Sequence, residues 1–367
     1  MRVNKQTKRY LRQKIVGYVS KDQKTSNLSR YMRLDLGENL LKCSKKVPQG
    51  LKNITQADLM LYADPSGQKI KETLAGLYNL YPSNFIIANS SNELIDYLSK
   101  IIINSGDKVL VITPTFFRFI ESSLSTGGKI IYVSLDEKNN YEFDNKLAKT
   151  IIKKIRQLDI KLVWLCNPNN PTGTTINLED IKTIIEKNRV PVILDEAFYE
   201  YYDLENKESG ISLIKENENL IILRTLSKAY GLAGLRFGYA IAHQKTIKTI
   251  ESCRNTLLMT SGLAQKLAIS ALKDQKWLKD SVKKTRILRK EVFNEIKKLK
   301  NYSISNSRSN VYLLKHKSKD VYKELKKRGI LTADFRQEEG LVGKNYVRIT
   351  VGNKKENDLL VSNLRKI

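Results

Sequence analysis

Cysteine, acidic residues and long apolar runs are scarce in this sequence of 367 residues, and each shortage argues against a class of protein. The three cysteines, Cys43, Cys166 and Cys253, are far apart and lack C-x-x-C spacing, which argues against a disulfide framework and a zinc site. No segment approaches the roughly 20 apolar residues that a helix needs to cross a bilayer. The basic stretch from Arg2 to Lys14 precedes no apolar run or cleavage site, so we expect a cytoplasmic protein without a membrane partner or metal.

The shortage of acidic residues leaves 38 Asp and Glu against 65 Lys and Arg, a formal net charge of +27. Such an excess attracts polyanions and anionic small molecules. The lysines are spread over most of the helical stretches, as in Lys153-Lys154 and Lys326-Lys327, and are not gathered in one tract with interleaved aromatic residues. We therefore expect a solvated cationic surface and no nucleic-acid partner.

Short β-rich segments alternate with helix-length amphipathic segments between about residues 85 and 242. This alternation is typical of a mainly parallel sheet covered by helices. Several strands, such as Val109-Leu110-Val111-Ile112, are apolar without alternation, as burial on both faces requires. The predicted strands are 85–88, 109–113, 130–135, 162–166, 192–195, 220–225 and 237–242, followed by 311–314 and 346–351.

These patterns predict an α/β protein with a large and a small domain. We expect residues 1–40 to form an N-terminal arm and part of the small domain. Residues 41–250 would form the large domain around a mainly parallel mixed sheet, and residues 251–367 the rest of a smaller α+β domain. Because ligands bind at the carboxyl ends of strands in open α/β sheets, the polar residues that end each strand are candidate site residues.

At one of these strand ends the sequence predicts a helix start, and at a second it predicts a rigid bend. Strand 85–88 leads into Asn89-Ser90-Ser91-Asn92-Glu93, where the backbone N–H groups of a helix start could hold a phosphate. Ser90 with Glu93 is also an ordinary capping box, and this alternative stays open. Strand 162–166 leads into Asn167-Pro168-Asn169-Asn170-Pro171-Thr172-Gly173, whose prolines and glycine impose a bend that can aim one amide inward.

The other two strand ends carry charged residues. Asp195 closes strand 192–195, where a carboxylate is unfavourable unless it is paired, although a helix N-cap would also explain it. Strand 220–225 leads into Thr225-Leu226-Ser227-Lys228 and then a glycine-rich segment that contains Arg236. A lone lysine is usually a surface residue, but this one follows two hydroxyl residues and precedes an arginine.

Taken in order, the four segments resemble the fold-type I enzymes that depend on pyridoxal 5'-phosphate (PLP). The resemblance is to the family of histidinol-phosphate aminotransferase, aromatic aminotransferases and threonine-phosphate decarboxylase. It covers nearly the whole chain, and the ordered set of NPNNPTG, DEA and SK-x₇-R is highly specific. The segments that carry it beyond the four strand ends are Leu34-Asp35-Leu36-Gly37-Glu38-Asn39, Tyr62-Ala63-Asp64-Pro65, Pro114-Thr115-Phe116 and Tyr346-Val347-Arg348-Ile349-Thr350-Val351-Gly352.

The resemblance implies a PLP-binding large domain and a role for each residue at the strand ends. Lys228 would carry the cofactor as a Schiff base and act as the base that moves the substrate Cα proton. Asp195 would keep the ring nitrogen protonated, so that the ring accepts electrons. Asn170 would donate to the 3′ oxygen of the ring, and Phe116 would stack on its face. The phosphate would be held by Thr225, Ser227, Arg236 and the backbone of Ser91 and Asn92, with Tyr62 contributed by the neighbouring subunit of a homodimer.

The resemblance also implies that Arg348 binds the substrate carboxylate or another anionic group as a bidentate fork. Three positions depart from the family pattern. Phe198 stands where many relatives have a tyrosine that donates to the 3′ oxygen. Ser90 replaces a glycine, which we expect to be tolerated only if its backbone stays at φ < 0. Ala333 replaces a substrate-binding arginine, so histidinol phosphate is in doubt as substrate, and Arg336 is a candidate replacement.

The resemblance favours an aminotransferase that passes an amino group between an amino acid such as glutamate and a small keto compound, phosphorylated or not. The alternative within the same family is a decarboxylase of threonine or serine phosphate, because the substrate pose decides which bond to Cα breaks. A different class, an inert polyanion-binding protein on the same fold, would be favoured if Lys228 or Asp195 were missing, and both are present.

Overall fold

The structure is a computed structural model that describes residues 30–254 and 260–367. The predicted basic arm from Arg2 to Lys14 lies outside the described residues. None of the described helices is both long enough and apolar enough to cross a membrane. The described strands are β1 (Met32–Leu34), β2 (Phe85–Ala88), β3 (Lys108–Thr113), β4 (Lys129–Ser134), β5 (Ile160–Cys166), β6 (Val192–Asp195), β7 (Leu220–Thr225), β8 (Gly238–Ala242), β9 (Tyr302–Ile304), β10 (Val311–His316), β11 (Ile330–Asp334) and β12 (Val347–Thr350).

The α-helices complete the set of elements to which the site residues belong. In chain order they are α1 (Lys46–Gly50), α2 (Gln56–Met60), α3 (Gln68–Tyr78), α4 (Ser91–Ile102), α5 (Arg118–Ser125), α6 (Asn145–Leu158), α7 (Leu178–Glu186), α8 (Tyr199–Tyr202), α9 (Gln244–Ser252), α10 (Gly262–Leu272), α11 (Gln275–Lys297), α12 (Val321–Lys327) and α13 (Lys354–Leu364).

The large sheet has seven strands in the order β2-β8-β7-β6-β5-β3-β4. Neighbouring strands from β7 to β4 run parallel, whereas β8 is antiparallel to both β2 and β7. All seven strands predicted between residues 85 and 242 are present, with ends shifted by at most two residues. The predicted mainly parallel mixed sheet is therefore confirmed.

Both faces of the large sheet are buried except at its edge strand β4, which explains why the inner strands lack a polar alternation. Val109 and Val111 of β3 face one core, with α4, α5 and α9, whereas Leu110 and Ile112 face the other core, with α6 and α7. The parallel strands end at one edge, so the polar residues that follow them are brought together there.

The small sheet has five strands in the order β1-β11-β12-β10-β9, and β1 pairs parallel to β11. Residues from the two ends of the chain thus share one sheet. Helix α11 connects the two parts, since Leu278 and Val282 pack in the large core and Val292 and Ile296 in the small one. The domain boundaries at residues 40 and 250 stay a prediction.

Candidate active site

One cavity of about 200 Å³ opens at the carboxyl ends of the parallel strands. It collects nine of the ten residues that the sequence predicts for cofactor binding. Those nine are Ser91, Asn92, Phe116, Asn170, Asp195, Thr225, Ser227, Lys228 and Arg236. The tenth, Tyr62, lies outside this cavity and is 93% exposed.

Asp195 is a buried charged group and Lys228 a half-buried one, and both have few compensating contacts. The Asp195 Oδ1 accepts a hydrogen bond from the backbone N–H of Ala197 at 2.9 Å, and burial raises the pKa of the Asp195 carboxyl to about 7. Because α8 begins only at Tyr199, with Phe198 at its N-cap, Asp195 is not a helix cap.

The Lys228 ammonium donates to the backbone oxygen of Leu36 at 3.0 Å and lies 4.9 Å from the centre of the Phe198 ring. Burial, and after it the positive charge of Arg348, lowers the pKa of Lys228 to about 7. A lysine with such a pKa is partly neutral near neutral pH, as a nucleophile or a base must be.

Hydroxyl groups and a helix start also line the cavity. Thr225 Oγ1 and Ser227 Oγ are 2.9 Å apart, and Thr225 also donates to the backbone oxygen of Phe237 at 3.0 Å. Helix α4 begins at Ser91, so its unpaired N–H groups and the positive end of its dipole face the cavity. Together with Arg236, these groups suit an anion.

The expectation that Ser90 keeps φ below zero is wrong. Ser90 has φ 84° and ψ 162°, a conformation that glycine adopts more easily. Its side chain makes no capping hydrogen bond, and Glu93 instead accepts from the backbone N–H of Asn89 at 2.6 Å. The sharp turn from β2 into α4, which passes close to Gly238, imposes the positive φ. The capping-box alternative for Ser90 and Glu93 is therefore not realised.

The bend after β5 is fixed by asparagine side chains. Asn167 Nδ2 donates to the backbone oxygen of Ile176 at 3.0 Å, and Asn169 Nδ2 donates to that of Pro114 at 2.9 Å. These bonds leave Asn170 lining the cavity, with its Oδ1 accepting from Arg348 Nη1 at 2.8 Å. The sequence predicts this inward asparagine but not the two that hold it.

The two candidate substrate arginines lie in different surroundings. Arg348 is fully buried behind Asn170, and its other Nη donates to the backbone oxygen of Asp35. Neither Arg348 nor Arg336 belongs to the cavity lining, and the Arg336 guanidinium binds Asp334 at 2.6 Å and Asp320 at 2.5 Å. Ala333 is buried in β11, directly opposite Arg348.

Several cavity residues have no predicted role in the sequence analysis. They are Leu36, Glu38, Cys166, Ala197 and Ala233. Leu36 and Glu38 belong to the segment 34–39 that carries the family resemblance, and this segment is the sequence feature that could have predicted their place in the cavity. Nothing in the local pattern around Ala233 marks it.

The chain is similar to known proteins over nearly its whole length. The family model described as "Aminotransferase class I and II" matches residues 29–364. Histidinol-phosphate aminotransferase of Thermoanaerobacter sp. (strain X514) is 36% identical over 359 residues, which are 97% of this chain and 98% of the relative.

Solved structures share the fold over nearly the whole chain. The crystal structure of histidinol-phosphate aminotransferase from Sinorhizobium meliloti in complex with pyridoxal-5'-phosphate has a TM-score of 0.83 at 23% identity, with 97% of this chain and 96% of that chain covered. That of L-threonine-O-3-phosphate decarboxylase from Porphyromonas gingivalis has a TM-score of 0.77 at 19% identity, with coverages of 91% and 98%. These likenesses confirm the predicted fold class.

Proposed function

From the premise that the chain belongs to the class I and II aminotransferase family, we propose that it transfers an amino group between glutamate and a small keto compound. The protein is a PLP-dependent aminotransferase, as the sequence analysis predicts. The observation that carries the proposal is the convergence of Lys228, Asp195 and a set of anion-binding groups on one cavity. A phosphorylated keto partner is supported by the net charge of +27, which favours the approach of anions.

The residues present fit PLP, because each chemical part of that molecule has a matching group. Arg236, Thr225, Ser227 and the start of α4 offer N–H and O–H donors for a phosphate. Asp195 is a buried carboxyl that feels the charge of Lys228 but forms no direct ion pair among the described residues, and a protonated ring nitrogen would supply one. Phe116 and Ala197 offer apolar contact for the ring.

When bound, the cofactor supplies an electrophilic carbon and a ring that accepts electrons. We propose Lys228 as the residue that attaches it, as a Schiff base, because its depressed pKa leaves the amine partly unprotonated near pH 7. Lys228 Nζ would afterwards hold and return the substrate Cα proton. Asp195 would keep its negative charge at the ring nitrogen, and Asn170 would donate through Nδ2, since its Oδ1 is occupied by Arg348.

We propose Arg348 as the group that binds the substrate carboxylate. Its guanidinium is fully buried, bonded to Asn170, and close enough to lower the pKa of Lys228. A bidentate carboxylate is the ligand that a buried guanidinium recognises best. Arg336 stays a second prediction, weakened by the two carboxylates that already hold its side chain.

We also propose a homodimer in which Tyr62 reaches the phosphate end of the partner's cavity. The support is a run of exposed apolar side chains, Leu59, Met60, Leu61 and Tyr62, each at least 67% exposed in one chain. Contiguous apolar surface of this kind marks an interface. A cytoplasmic location is proposed because Cys43, Cys166 and Cys253 are free.

The test is the absorbance spectrum of the purified protein before and after addition of L-glutamate. A visible band that glutamate converts to a shorter wavelength, and that Lys228→Ala lacks, would support transamination and the role of Lys228. Histidinol phosphate is then offered as amino donor, since relatives are named for it. Release of carbon dioxide from phosphothreonine or phosphoserine without the glutamate-dependent conversion would contradict the proposal and favour the decarboxylase.

The dimer is tested separately by sedimentation equilibrium of the wild-type protein and of Leu61→Asp. We expect a dimer for the wild type and a weakened one for the variant. A monomeric wild type at micromolar concentration would contradict both the dimer and the role of Tyr62.

A further inference from the structure

Ser90 combines three features that are unusual together. It is buried, it lines the cavity, and its φ of 84° lies in the region that L-residues rarely adopt. Glycine would fit this backbone with less strain. A serine that keeps such a conformation beside an active site calls for a compensating role, because strained residues cluster where strain serves function.

The conformation of Ser90 is imposed by its neighbours. Arg254 Nη1 donates to the backbone oxygen of Ile87 at 2.5 Å, and its Nη2 donates to Glu93 at 2.9 Å. Glu93 in turn accepts from the backbone N–H of Asn89 at 2.6 Å. On the other side, a Cβ at position 238 would come within 2.5 Å of the Ser91 nitrogen, so Gly238 lets the turn pack closely. The turn would form with either glycine or serine at position 90.

The Ser90 hydroxyl makes no hydrogen bond that would stabilise this turn. It does not cap α4, and within residues 30–254 and 260–367 it makes no hydrogen bond. The hydroxyls of Thr225 and Ser227, by contrast, are bonded to each other across the same end of the cavity. Ser90 directly precedes the helix start and lines the same cavity as Arg236, Thr225 and Ser227, so its free hydroxyl is available to a ligand of these anion-binding groups.

We propose that the Ser90 hydroxyl is an additional ligand of the cofactor phosphate, and that this bond offsets the backbone strain at position 90. The inference rests on the proposed function. A hydroxyl that donates to a phosphate oxygen forms a charge-assisted hydrogen bond, which is stronger than one between neutral groups. Replacing the serine by glycine would relieve the strain but remove the bond.

The experiment titrates the apoprotein with PLP and, separately, with pyridoxal, which lacks the phosphate. For Ser90→Ala we expect the PLP dissociation constant to rise about fivefold to tenfold, while that for pyridoxal stays within about twofold. Ser90→Gly should lose PLP affinity to a similar extent, yet its apoprotein should melt about 2 °C above that of Ser90→Ala. Asn140→Gly is the control, because Asn140 is exposed and has φ 51°. It should change neither affinity.

Two results would overturn the proposal. One is PLP binding by Ser90→Ala as tight as that of the wild type. The other is an equal loss of affinity for PLP and pyridoxal, which would indicate a distorted cavity rather than a lost phosphate bond. If Ser90→Ala does not fold, Ser90→Gly gives the same comparison with less strain. A wild-type protein that binds no PLP would overturn the proposed function itself, whereas unchanged variants of a PLP-binding wild type overturn only the role of Ser90.

Discussion

Two groups of charged residues lie at or just beyond the ends of the same strands, β6 and β7, and their partners differ. Asp195 and Lys228 belong to the cavity. Glu196 and Arg224, each next to a cavity residue in sequence, are buried away from it, at 0% and 1% exposure. Successive side chains of a strand point to opposite faces, which explains how neighbours reach different surroundings.

The Glu196–Arg224 pair is saturated with partners. Arg224 Nε donates to Glu196 at 2.8 Å, its Nη2 donates to Asn206 at 3.1 Å, and its guanidinium lies 4.3 Å from the centre of the Tyr199 ring. Glu196 also accepts from Ser209 at 2.9 Å. In the described part of the chain, Asp195 and Lys228 form no ion pair with each other or with another residue.

This difference in partners gives the two basic groups, Arg224 and Lys228, opposite pKa shifts. Burial acts to lower the pKa of Arg224, but the nearby acidic groups, of which Glu196 has the largest effect, together outweigh it and raise the pKa above its usual value. Burial without such a partner brings the pKa values of Asp195 and Lys228 both to about 7. The Arg224 network thus holds two strand ends together, and the unpaired cavity groups are left ready for a ligand that supplies the missing charges.

Removing Arg224 should have the largest effect on stability. Arg224→Met leaves the Glu196 carboxylate buried without its cation, and we expect the free energy of unfolding of the apoprotein to fall by about 3 to 5 kcal/mol. Urea unfolding measures it. Combining Arg224→Met with Glu196→Gln should restore at least ~1 kcal/mol, because the unpaired charge is gone.

The matched control is Lys245→Met, which removes the cation of an exposed pair with Glu218 at 2.8 Å. Its unfolding midpoint should be nearly unchanged, since exposed pairs are screened by solvent. Equal midpoints for Arg224→Met and Lys245→Met would contradict the view that the Arg224 network stabilises the strand ends.

Asp195→Asn should have the opposite effect to Arg224→Met. We expect the fold to stay intact and the activity to be largely lost. The asparagine Oδ1 can still accept from Ala197, so stability should be unchanged or higher once a buried acid is gone. Without the carboxylate, we expect kcat for transamination to fall about 100-fold or more, or roughly 2.7 kcal/mol of barrier. Single-turnover absorbance with glutamate measures the rate, and a loss below tenfold would argue against the assigned role.

The cavity lysine should destabilise the apoprotein in a pH-dependent way. The pKa of Lys228 is lowered to about 7, from about 10.4 in an unfolded chain. Between these values the unfolded chain binds more protons, so this group's contribution to stability increases with pH. Below pH 7 both states are protonated, and the full cost of burying the ammonium is present.

Lys228→Met should therefore stabilise the apoprotein by about 1 to 2 kcal/mol at pH 6, and the gain should shrink towards pH 9. Urea unfolding of both proteins across this range measures the difference, in which unrelated titrations cancel. A gain that grows with pH would show that Lys228 is not held at a depressed pKa.

The sequence predicts the cavity better than the paired network, and the reason is physical. Strands 192–195 and 220–225 are apolar runs, and the polar residues at their ends follow from the geometry of parallel sheets. The family resemblance then assigns roles to Lys228 and Asp195. Arg224 lies inside a predicted strand, and no local pattern shows that its partners, Glu196 and Asn206, will surround it.

Other features of the cavity depend on contacts between distant parts of the chain. Arg348 is placed by Asn170 and the backbone of Asp35, both more than 170 residues away. The turn that gives Ser90 its positive φ is held by Arg254 and passes close to Gly238. The general preference of serine for negative φ therefore predicts the wrong backbone conformation at this position. Local preferences predict elements, whereas the side-chain environment is decided by packing.

Adding a hydrogen-bond donor inside the cavity should have the smallest effect of these substitutions. Phe198 lines the cavity, and its ring centre lies 4.9 Å from Lys228 Nζ, so a hydroxyl added at the Phe198 Cζ atom would lie near the lysine that attaches the cofactor. In Phe198→Tyr, this hydroxyl would donate to the 3′ oxygen of the bound cofactor and favour its ionised form. We expect the pKa of the pH-dependent absorbance change of the holoenzyme to fall by up to about one unit. An absorbance titration from pH 5 to about pH 10 measures it, with Phe198→Leu as the variant that adds no donor. If both variants shift equally, the change reflects packing, and the missing hydroxyl is not what sets the pKa in the wild-type cavity.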